Sequence, residues 1–265
     1  MAITSLADVR ASLRQRIVIQ KGPPASPVGS LPVITAVWLG GGSPPAGSAP
    51  GNTANGVVPT SSTTGAPNID FSSGNGYLTG IEANCTGVGG RLMLYDRLFH
   101  CGSYAGTSGT TTLSSQPSFS SRIPGGTNYD GLQIWAEVNA TGANAPTVAC
   151  TYTNSVGGTG RSSGSTTISG FVTGKVAQLS LQAGDSGVQT IESVVITGSF
   201  NGSLNFFIAR PLWVGRLEAG GQTSAMLLDR AGMAEVWPAS CLSAIFFADS
   251  SASFSVDLSI EIASK

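Results

Sequence analysis

His100 is the only histidine in the chain, and its neighbours include two side chains that could assist it in catalysis. Asp96 precedes His100 by four residues in the segment LYDRLFHCG, and residues four apart lie on the same face of a β-strand. Asp96 could therefore orient the His100 ring, as a carboxylate does in a catalytic triad. Cys101 points to the opposite face of such a strand, so it cannot serve as the nucleophile. The sequence favours a structural or surface role for His100, because a zinc site would need further histidine ligands.

A second candidate nucleophile is Ser162, because the segment from Gly160 to Gly164 has the pattern G-x-S-x-G. That pattern is catalytic when a strand runs into a sharp turn and a helix follows, which exposes the serine. Here the flanking segments VGGTG and STTISG carry no helix signal. The pattern therefore indicates a Gly/Ser loop and not a catalytic elbow.

Paired carboxylates would suit a polysaccharide depolymerase, since glycoside hydrolysis uses two acidic side chains. The 14 acidic residues are scattered along the chain. Asp185 and Glu192 flank a turn, and Asp229 and Glu235 lie near each other, but nothing distinguishes them from solvated acids. A depolymerase is thus the least favoured function, and we expect no enzyme. The tryptophans could form a carbohydrate platform, but in strands they more often belong to a core or an interface; they are Trp38, Trp135, Trp213 and Trp237.

The elements that carry these residues are predicted to be strands. Charged residues make up only 10% of the chain, against about 25% in ordinary globular domains. Surface helices need charged residues on their outer faces, and the only lysines are Lys21, Lys175 and Lys265. The 36 glycines and the runs of Ser and Thr are typical of turns and pleated surfaces. The composition predicts an all-β protein with many loops.

The charge and the cysteines limit the classes of partner. A net charge of −1 with a pI near 5.8 argues against nucleic acid, because phosphate contacts require a basic surface. No apolar run approaches the about 20 residues of a membrane span, and Met1–Lys21 lacks the pattern of a secretory signal. We therefore expect no membrane partner and synthesis in the cytoplasm. The widely spaced cysteines predict buried thiols, with no zinc and no cofactor; they are Cys85, Cys101, Cys150 and Cys241.

Strand signals follow one another from residue 34 to the C-terminus, bounded by turn residues. The clearest covers Phe254–Ile262, where apolar and polar residues alternate as in a strand with one wet face. The spacing without intervening helices predicts a β-sandwich or jelly-roll-like domain over 34–265. The other predicted strands are 16–21, 34–39, 77–84, 91–98, 131–138, 147–153, 176–182, 188–197, 203–209 and 242–248.

A weak internal similarity suggests a further division of this domain. The segment GRLMLYDRL from Gly90 is similar to GSLNFFIARPL from Gly202, and a strand and a Gly-containing turn precede each. Two similar hairpins would give halves of about 34–155 and 156–265. Chance similarity between ordinary hairpins is the alternative.

Residues 1–33 are predicted to form a short N-terminal helix and an extended arm. Ser5 can cap the helix. Helical spacing predicts one apolar face, formed by Leu6, Val9 and Leu13. The helix dipole favours positive charge near the helix C-terminus, where the arginines are Arg10, Arg14 and Arg16. A short strand over 16–21 and the proline-rich stretch 22–33 complete the arm.

Residues 40–76 are almost wholly Gly, Pro, Ser, Thr, Asn and Ala. A stretch of this length without periodicity predicts a long surface loop, which usually serves a function or a partner. A disordered segment is the alternative.

Several segments resemble a family of tailed-bacteriophage virion proteins that are often encoded beside capsid genes. They occur in order across most of the chain: MAITSLADV at 1–9, VWLGGG at 37–42, LMLYDRLFHCG at 92–102, TYTNSVGGTGRSS at 151–163, LQAGDSGVQ at 181–189 and FIARPLW at 207–213. The resemblance implies a structural role in the virion, and no catalytic residues come with it.

Within a virion, the favoured role is that of a capsid decoration or cement protein on the capsid surface. Its partners would be the major capsid protein and copies of itself, in a trimer. The apolar helix face would fill a groove, and the arginines would pair with coat carboxylates. The alternative is a tail or adsorption-apparatus protein that displays the 40–76 loop. A coat protein is disfavoured, because the usual tailed-phage coat fold needs a long spine helix.

Overall fold

A computed structural model describes residues 7–8, 12–25, 32–71, 74–168, 172–218, 224–226 and 234–264. Among these residues the strands, in chain order, are β1 (Leu13–Lys21), β2 (Val33–Ala36), β3 (Gly42–Ser43), β4 (Gly76–Thr86), β5 (Gly90–Ala105), β6 (Gly109–Thr112), β7 (Gln133–Ala140), β8 (Thr147–Asn154), β9 (Arg161–Ser162), β10 (Thr166–Thr167), β11 (Val176–Leu179), β12 (Val188–Thr197), β13 (Ser203–Leu217), β14 (Ser224–Met226), β15 (Glu235–Val236), β16 (Leu242–Ala248) and β17 (Ser255–Ser264). Two single 3-10 turns cover Ser120–Arg122 and Pro124–Gly126. The prediction of an all-β fold is confirmed.

The strands form three antiparallel sheets. The terminal sheet has the order β14-β4-β17-β1-β3, with β15 also paired to β4. The central sheet has the order β11-β7-β13-β5-β16-β2. The threonine-rich sheet has the order β10-β8-β12-β6, with β9 paired to β8. In the central sheet the long strands β5 and β13 lie side by side and pair along almost their whole length.

Two apolar cores show how these sheets pack. The first core joins the terminal sheet to one part of the central sheet. Its members include Ile260 in β17, Leu94 in β5 and Phe246 in β16. The second core joins the threonine-rich sheet to the other part, with Tyr152 in β8 and Phe206 in β13 among its members. The central sheet therefore serves two sandwich layers, and the β-sandwich prediction is confirmed.

Alternation of side chains explains the strands of the terminal sheet. In β17, Val256, Leu258 and Ile260 are fully buried, whereas the polar residues between them face outward. Burying one such aliphatic side chain stabilises the fold by about 1.5–3 kcal/mol. The alternation thus gives this sheet one face in the core and one wet face.

The N-terminal helix does not extend as far as the sequence predicted. Residues 7–8 are helical, but Leu13 and Arg14 lie in strand β1, which also contains the predicted strand 16–21 with Arg16. β1 pairs with β17 over nine residues, which satisfies its backbone groups in the sheet, and its alternation buries Ile17 and Ile19. Leu6, Val9 and Arg10 lie outside the described residues. The segment 13–21 is therefore an integral part of the terminal sheet and not part of a separate arm.

The strands of the two cores can be compared with the suggested halves, 34–155 and 156–265. The first core contains β4 from one half and β17 from the other, and the second core combines β8 with β12 in the same way. Each core thus uses strands from both halves. The internal similarity itself stays a prediction.

The long loop after β2 is folded onto the sheets over residues 42–71. Its backbone pairs with His100 through Val57, with N–H to carbonyl distances of 2.8 and 2.9 Å in the two directions. The Tyr104 hydroxyl donates to the Thr53 carbonyl at 2.9 Å. A Cβ at Gly56, which has a φ of 67°, would overlap the Phe99 ring. Glycine here allows the loop backbone to lie directly on the central sheet.

Candidate interaction surface

Three of the six predicted partner-binding residues lie on the outer side of the terminal sheet or at its end. Arg14 and Arg16 point outward from β1. Leu13, at the start of the strand, is 75% exposed. The other three, Leu6, Val9 and Arg10, lie outside the described residues. The structure thus brings two arginines together, but on a strand instead of a helix.

The two arginines form exposed ion pairs with the neighbouring strands. Arg14 Nη1 lies 3.2 Å from Glu261 Oε1 in β17. Arg16 Nη2 lies 3.0 Å from Glu82 Oε2 in β4, and Arg16 Nε also donates to the Ser259 hydroxyl. Exposed pairs of this kind contribute about 0–1 kcal/mol each. Both arginines can therefore exchange these carboxylates for those of a partner at a small cost.

A shallow depression of about 320 Å³ lies beside Arg16 on this outer face. Val18 is 49% exposed there and provides an apolar spot. The side-chain oxygen of Asn84 is buried without a hydrogen-bond partner. The depression is lined by Arg16, Val18, Glu82, Asn84, Asp257 and Ser259. We call the outer side of β1, β17 and β4 around this depression the arginine face.

The free edge of β1 borders the arginine face. On this side β1 pairs with β3 only at Gln20 and Lys21. Toward the start of the strand, the Gln15 side-chain amide donates to the Asn68 carbonyl at 3.1 Å and accepts from the Asp70 N–H at 2.8 Å. The loop therefore covers both ends of this edge, and the charged arginines protect the part between them from unspecific strand pairing.

The residues that surround Arg14 and Arg16 could not be identified from sequence. Asp257 and Glu261 were predicted on the wet face of the last strand, but the sequence does not show that this strand lies beside β1. Glu82 and Asn84 come from β4, which pairs with the other edge of β17. The arginine face is assembled from three distant segments, so its composition depends on the sheet order.

An ion pair between Arg97 and Glu137 is buried inside the molecule. Arg97 Nη2 lies 3.0 Å from Glu137 Oε1, and both side chains are 0% exposed. Arg97 also donates to the Tyr95 hydroxyl at 2.9 Å, and Asn205 donates to Glu137 at 3.3 Å. The guanidinium lies 3.9 Å from the centre of the Phe207 ring. Burial lowers the pKa of Arg97, but the charges and hydrogen bonds of Glu137 and Tyr95 together outweigh burial and raise that pKa above its ordinary value.

His100 belongs to this buried cluster. Its Nε2 atom lies 3.3 Å from Arg97 Nη1 and 3.8 Å from Glu137 Oε2. Burial, and then the positive charge of Arg97, lowers the pKa of His100 well below 6.5. The neutral ring accepts a hydrogen bond from Arg97 at Nε2 and stands edge-on to Trp38. The structural role predicted for His100 is confirmed, and Asp96 is bonded to Arg122 instead of to this ring.

The other candidates for chemistry take part in local structure. Ser162 is exposed in the two-residue strand β9. Asp185 accepts from Arg161 at 3.0 Å, from the Tyr152 hydroxyl at 2.6 Å and from Asn154 at 2.7 Å. These bonds lower the pKa of Asp185 to about 2. The carboxylate therefore holds the turn at the end of the threonine-rich sheet.

Most of the remaining acids, the cysteines and the tryptophans also take part in local structure or in the core. Glu192 accepts from the Gly160 N–H at 3.0 Å, and Asp229 lies outside the described residues. All four cysteines are buried free thiols, as predicted. The tryptophans in the core are Trp38, Trp135 and Trp213. Trp237 is half-buried, with the Arg210 guanidinium 4.6 Å from the ring centre.

The described part of the chain contains neither a metal-binding cluster nor a membrane-spanning helix. No group of three or more His, Cys, Asp and Glu side chains is placed to hold a metal ion there. Within the same residues, no helix has the length and apolar character to cross a membrane.

Comparison with known proteins gives no family. No protein-family model matches the chain, and no curated protein matches it.

Solved structures from infectious bursal disease virus show a weak structural likeness. One is the structure of infectious bursal disease virus strain Gx, with 9% identity and a TM-score of 0.20 over 95% of this chain and 81% of that chain. Another is the crystal structure of the VP2 subviral particle of infectious bursal disease virus, with 9% identity and a TM-score of 0.21 over 95% and 80%. At these identities and TM-scores the likeness does not carry an argument about function.

Proposed function

We propose that this protein is a non-enzymatic structural component of a tailed-phage particle, and that it acts as a capsid decoration or cement protein. The proposed partners are the major capsid protein and further copies of this chain, at the capsid surface. The sequence resemblance supports a place in the particle, and a β body with two apolar cores fits a component that must keep its shape on a lattice. Nucleic acid and membrane are not proposed as partners.

The observation that carries the binding proposal is the arginine face. Arg14 and Arg16 lie next to each other on one side of β1, and each forms an ion pair with an exposed carboxylate, while Arg16 also donates to the Ser259 hydroxyl. Coat carboxylates can replace these partners and form bidentate pairs with the guanidinium groups. Val18 adds an exposed apolar contact beside them. Many copies of so modest a contact bind a repeating lattice strongly through avidity.

The proposal is tested by mixing the purified protein with heads that lack it, and separately with isolated tails, before sedimentation. We expect saturable sedimentation with heads at a fixed ratio to coat subunits. Binding to tails alone would exclude the decoration role and turn attention to a tail or adsorption role for the 40–76 loop. Binding to neither would contradict the particle role.

Charge-reversal variants test whether the arginine face makes the contact. The double variant Arg14→Glu, Arg16→Glu should weaken head binding, because each lost charge-assisted contact contributes about 1.5 kcal/mol or about tenfold in affinity. Arg216→Glu is a matched control, since Arg216 is an equally exposed arginine with carboxylate neighbours at 3.2 and 3.6 Å elsewhere on the surface. Equal binding by the double variant and by the control would show that another surface binds the head.

A further inference from the structure

A second charged cluster lies where the two apolar cores meet. Asp96 in β5 stands in register with Arg210 in β13, and both side chains are buried. Arg122, from the first 3-10 turn, reaches the same place. The cores begin on either side of this position in β5, with Leu94 in the first core and Leu98 in the second. We call these three side chains the junction cluster.

Hydrogen bonds hold most of the polar atoms of the junction cluster. Arg122 Nη1 donates to Asp96 Oδ1 at 3.3 Å and to the Ala239 carbonyl at 2.7 Å. Arg122 Nη2 donates at 3.0 Å to the carbonyls of both Arg97 and Leu98. Asp96 Oδ1 also accepts from the Cys241 N–H at 2.7 Å. Arg122 thus uses four of its five N–H groups.

Three atoms of the junction cluster remain without a partner. They are Asp96 Oδ2, Arg122 Nε and Arg210 Nε, and each is a buried atom. Their residues are 0%, 2% and 8% exposed. Leaving a charged group without a hydrogen-bond partner in the interior costs more free energy than leaving a neutral group without one. Two unsatisfied donors and one unsatisfied acceptor at one place are therefore expected to share a ligand.

We propose that the junction cluster is a binding site for one buried water molecule. A water oxygen accepts two hydrogen bonds and its protons donate two. One molecule can therefore accept from Arg122 Nε and Arg210 Nε and donate to Asp96 Oδ2. The water has three polar protein partners, which is the usual number for a buried water. It would link β5, β13 and the 3-10 turn across the boundary between the two cores.

The chemistry of the three atoms favours water over an ion. An anion would meet the two guanidinium groups, but it would also face the free oxygen of the Asp96 carboxylate. A cation would meet that oxygen, but it would face two N–H donors. Water alone satisfies both donors and the acceptor. Asp96 faces Arg210 across the β5–β13 register and is bonded to Arg122, so the three groups lie together.

The test is a high-resolution crystal structure of the whole wild-type chain, with a second crystal soaked in bromide. We expect a well-ordered water at about 2.7–3.2 Å from all three atoms and no anomalous bromide peak there. Direct bonding of Asp96 Oδ2 to either guanidinium, with no density between them, would overturn the proposal. A bromide peak at the site would also overturn it, because the ligand would then be an anion.

Magnetic relaxation dispersion tests the same site in solution by counting long-lived internal waters. Arg210→Met removes one donor and should lose one such water relative to wild type. Arg91→Met is the control, because Arg91 is exposed and lies over the Phe247 ring, away from this site. An equal count in Arg210→Met and wild type would contradict the proposal. If Arg210→Met does not fold, the wild-type crystals decide alone.

Discussion

Acid should destabilise this protein through its single histidine. In the unfolded chain His100 takes up a proton near its ordinary pKa of 6.5. In the folded chain, burial and the neighbouring Arg97 lower the pKa of His100 well below that value, so the ring stays neutral. Below pH 6.5 the unfolded state therefore binds more protons than the folded state, and the free energy of unfolding falls as the pH falls. Above pH 6.5 both states are neutral and this effect disappears.

The size of the effect follows from one proton. The slope of the free energy of unfolding against pH approaches about 1.4 kcal/mol per pH unit below pH 6.5. Relative to pH 8, the loss of stability reaches about 1.4 kcal/mol at pH 5.5. Ordinary carboxylates titrate near pH 4, so the interval from pH 6.5 to 5.5 reports mainly on His100.

The assay is urea unfolding at pH 8, 7, 6.5, 6 and 5.5 for wild type and for His100→Gln. Glutamine keeps an acceptor for the Arg97 guanidinium but does not titrate. We expect the variant to be less stable than wild type at pH 8 but to show no decline between pH 6.5 and 5.5. The same decline in both proteins, or none in wild type, would refute the assignment to His100.

Three further predictions follow from packing and charge. Glu137→Gln leaves Arg97 as an unpaired buried charge and should reduce the free energy of unfolding by about 3–5 kcal/mol. Replacing both residues with apolar ones should restore much of that loss, and denaturant unfolding of wild type and the two variants measures this. Gly142→Ala places a Cβ against the carbonyl and ring of Phe200 and should cost about 1–3 kcal/mol, while Gly109→Ala, which meets open space, should be neutral in the same assay. Burial raises the pKa of the Cys85 thiol to about 11 and the pKa of the thiols of Cys101, Cys150 and Cys241 to about 12. Above pH 9 these thiols therefore ionise only in the unfolded chain, so the free energy of unfolding should fall as the pH rises. Replacing the thiols should flatten this decline in alkaline unfolding curves.

Two strands could be predicted in full because turn residues bound a segment rich in apolar side chains. The bounds predicted for β12 and β16 agree with those observed, 188–197 and 242–248. In contrast, β5 was predicted to end at Leu98 but continues to Ala105. Asp96, Arg97 and His100 are polar, and nothing local shows that each finds a partner in the interior. The length of this strand depends on partners from β7 and from the first 3-10 turn.

The N-terminal segment shows the same limit. Helical spacing of Leu6, Val9 and Leu13 and the following arginines favoured a helix through this region. Pairing with β17, which is more than 200 residues away in sequence, places Leu13 and Arg14 in a strand instead. Such long-range pairing can override local propensity. Arg14 and Arg16 lie on the surface, but their neighbours on the arginine face could not be predicted.

The most direct test of the central proposal is a cryo-electron microscopy reconstruction of the phage particle that contains this protein. The account predicts density for the two-core β body on the outside of the head, with the arginine face against the coat. Arg14 and Arg16 should lie within pairing distance of coat carboxylates. Density for the protein in the tail, or on the head with the arginine face turned to solvent, would contradict the account.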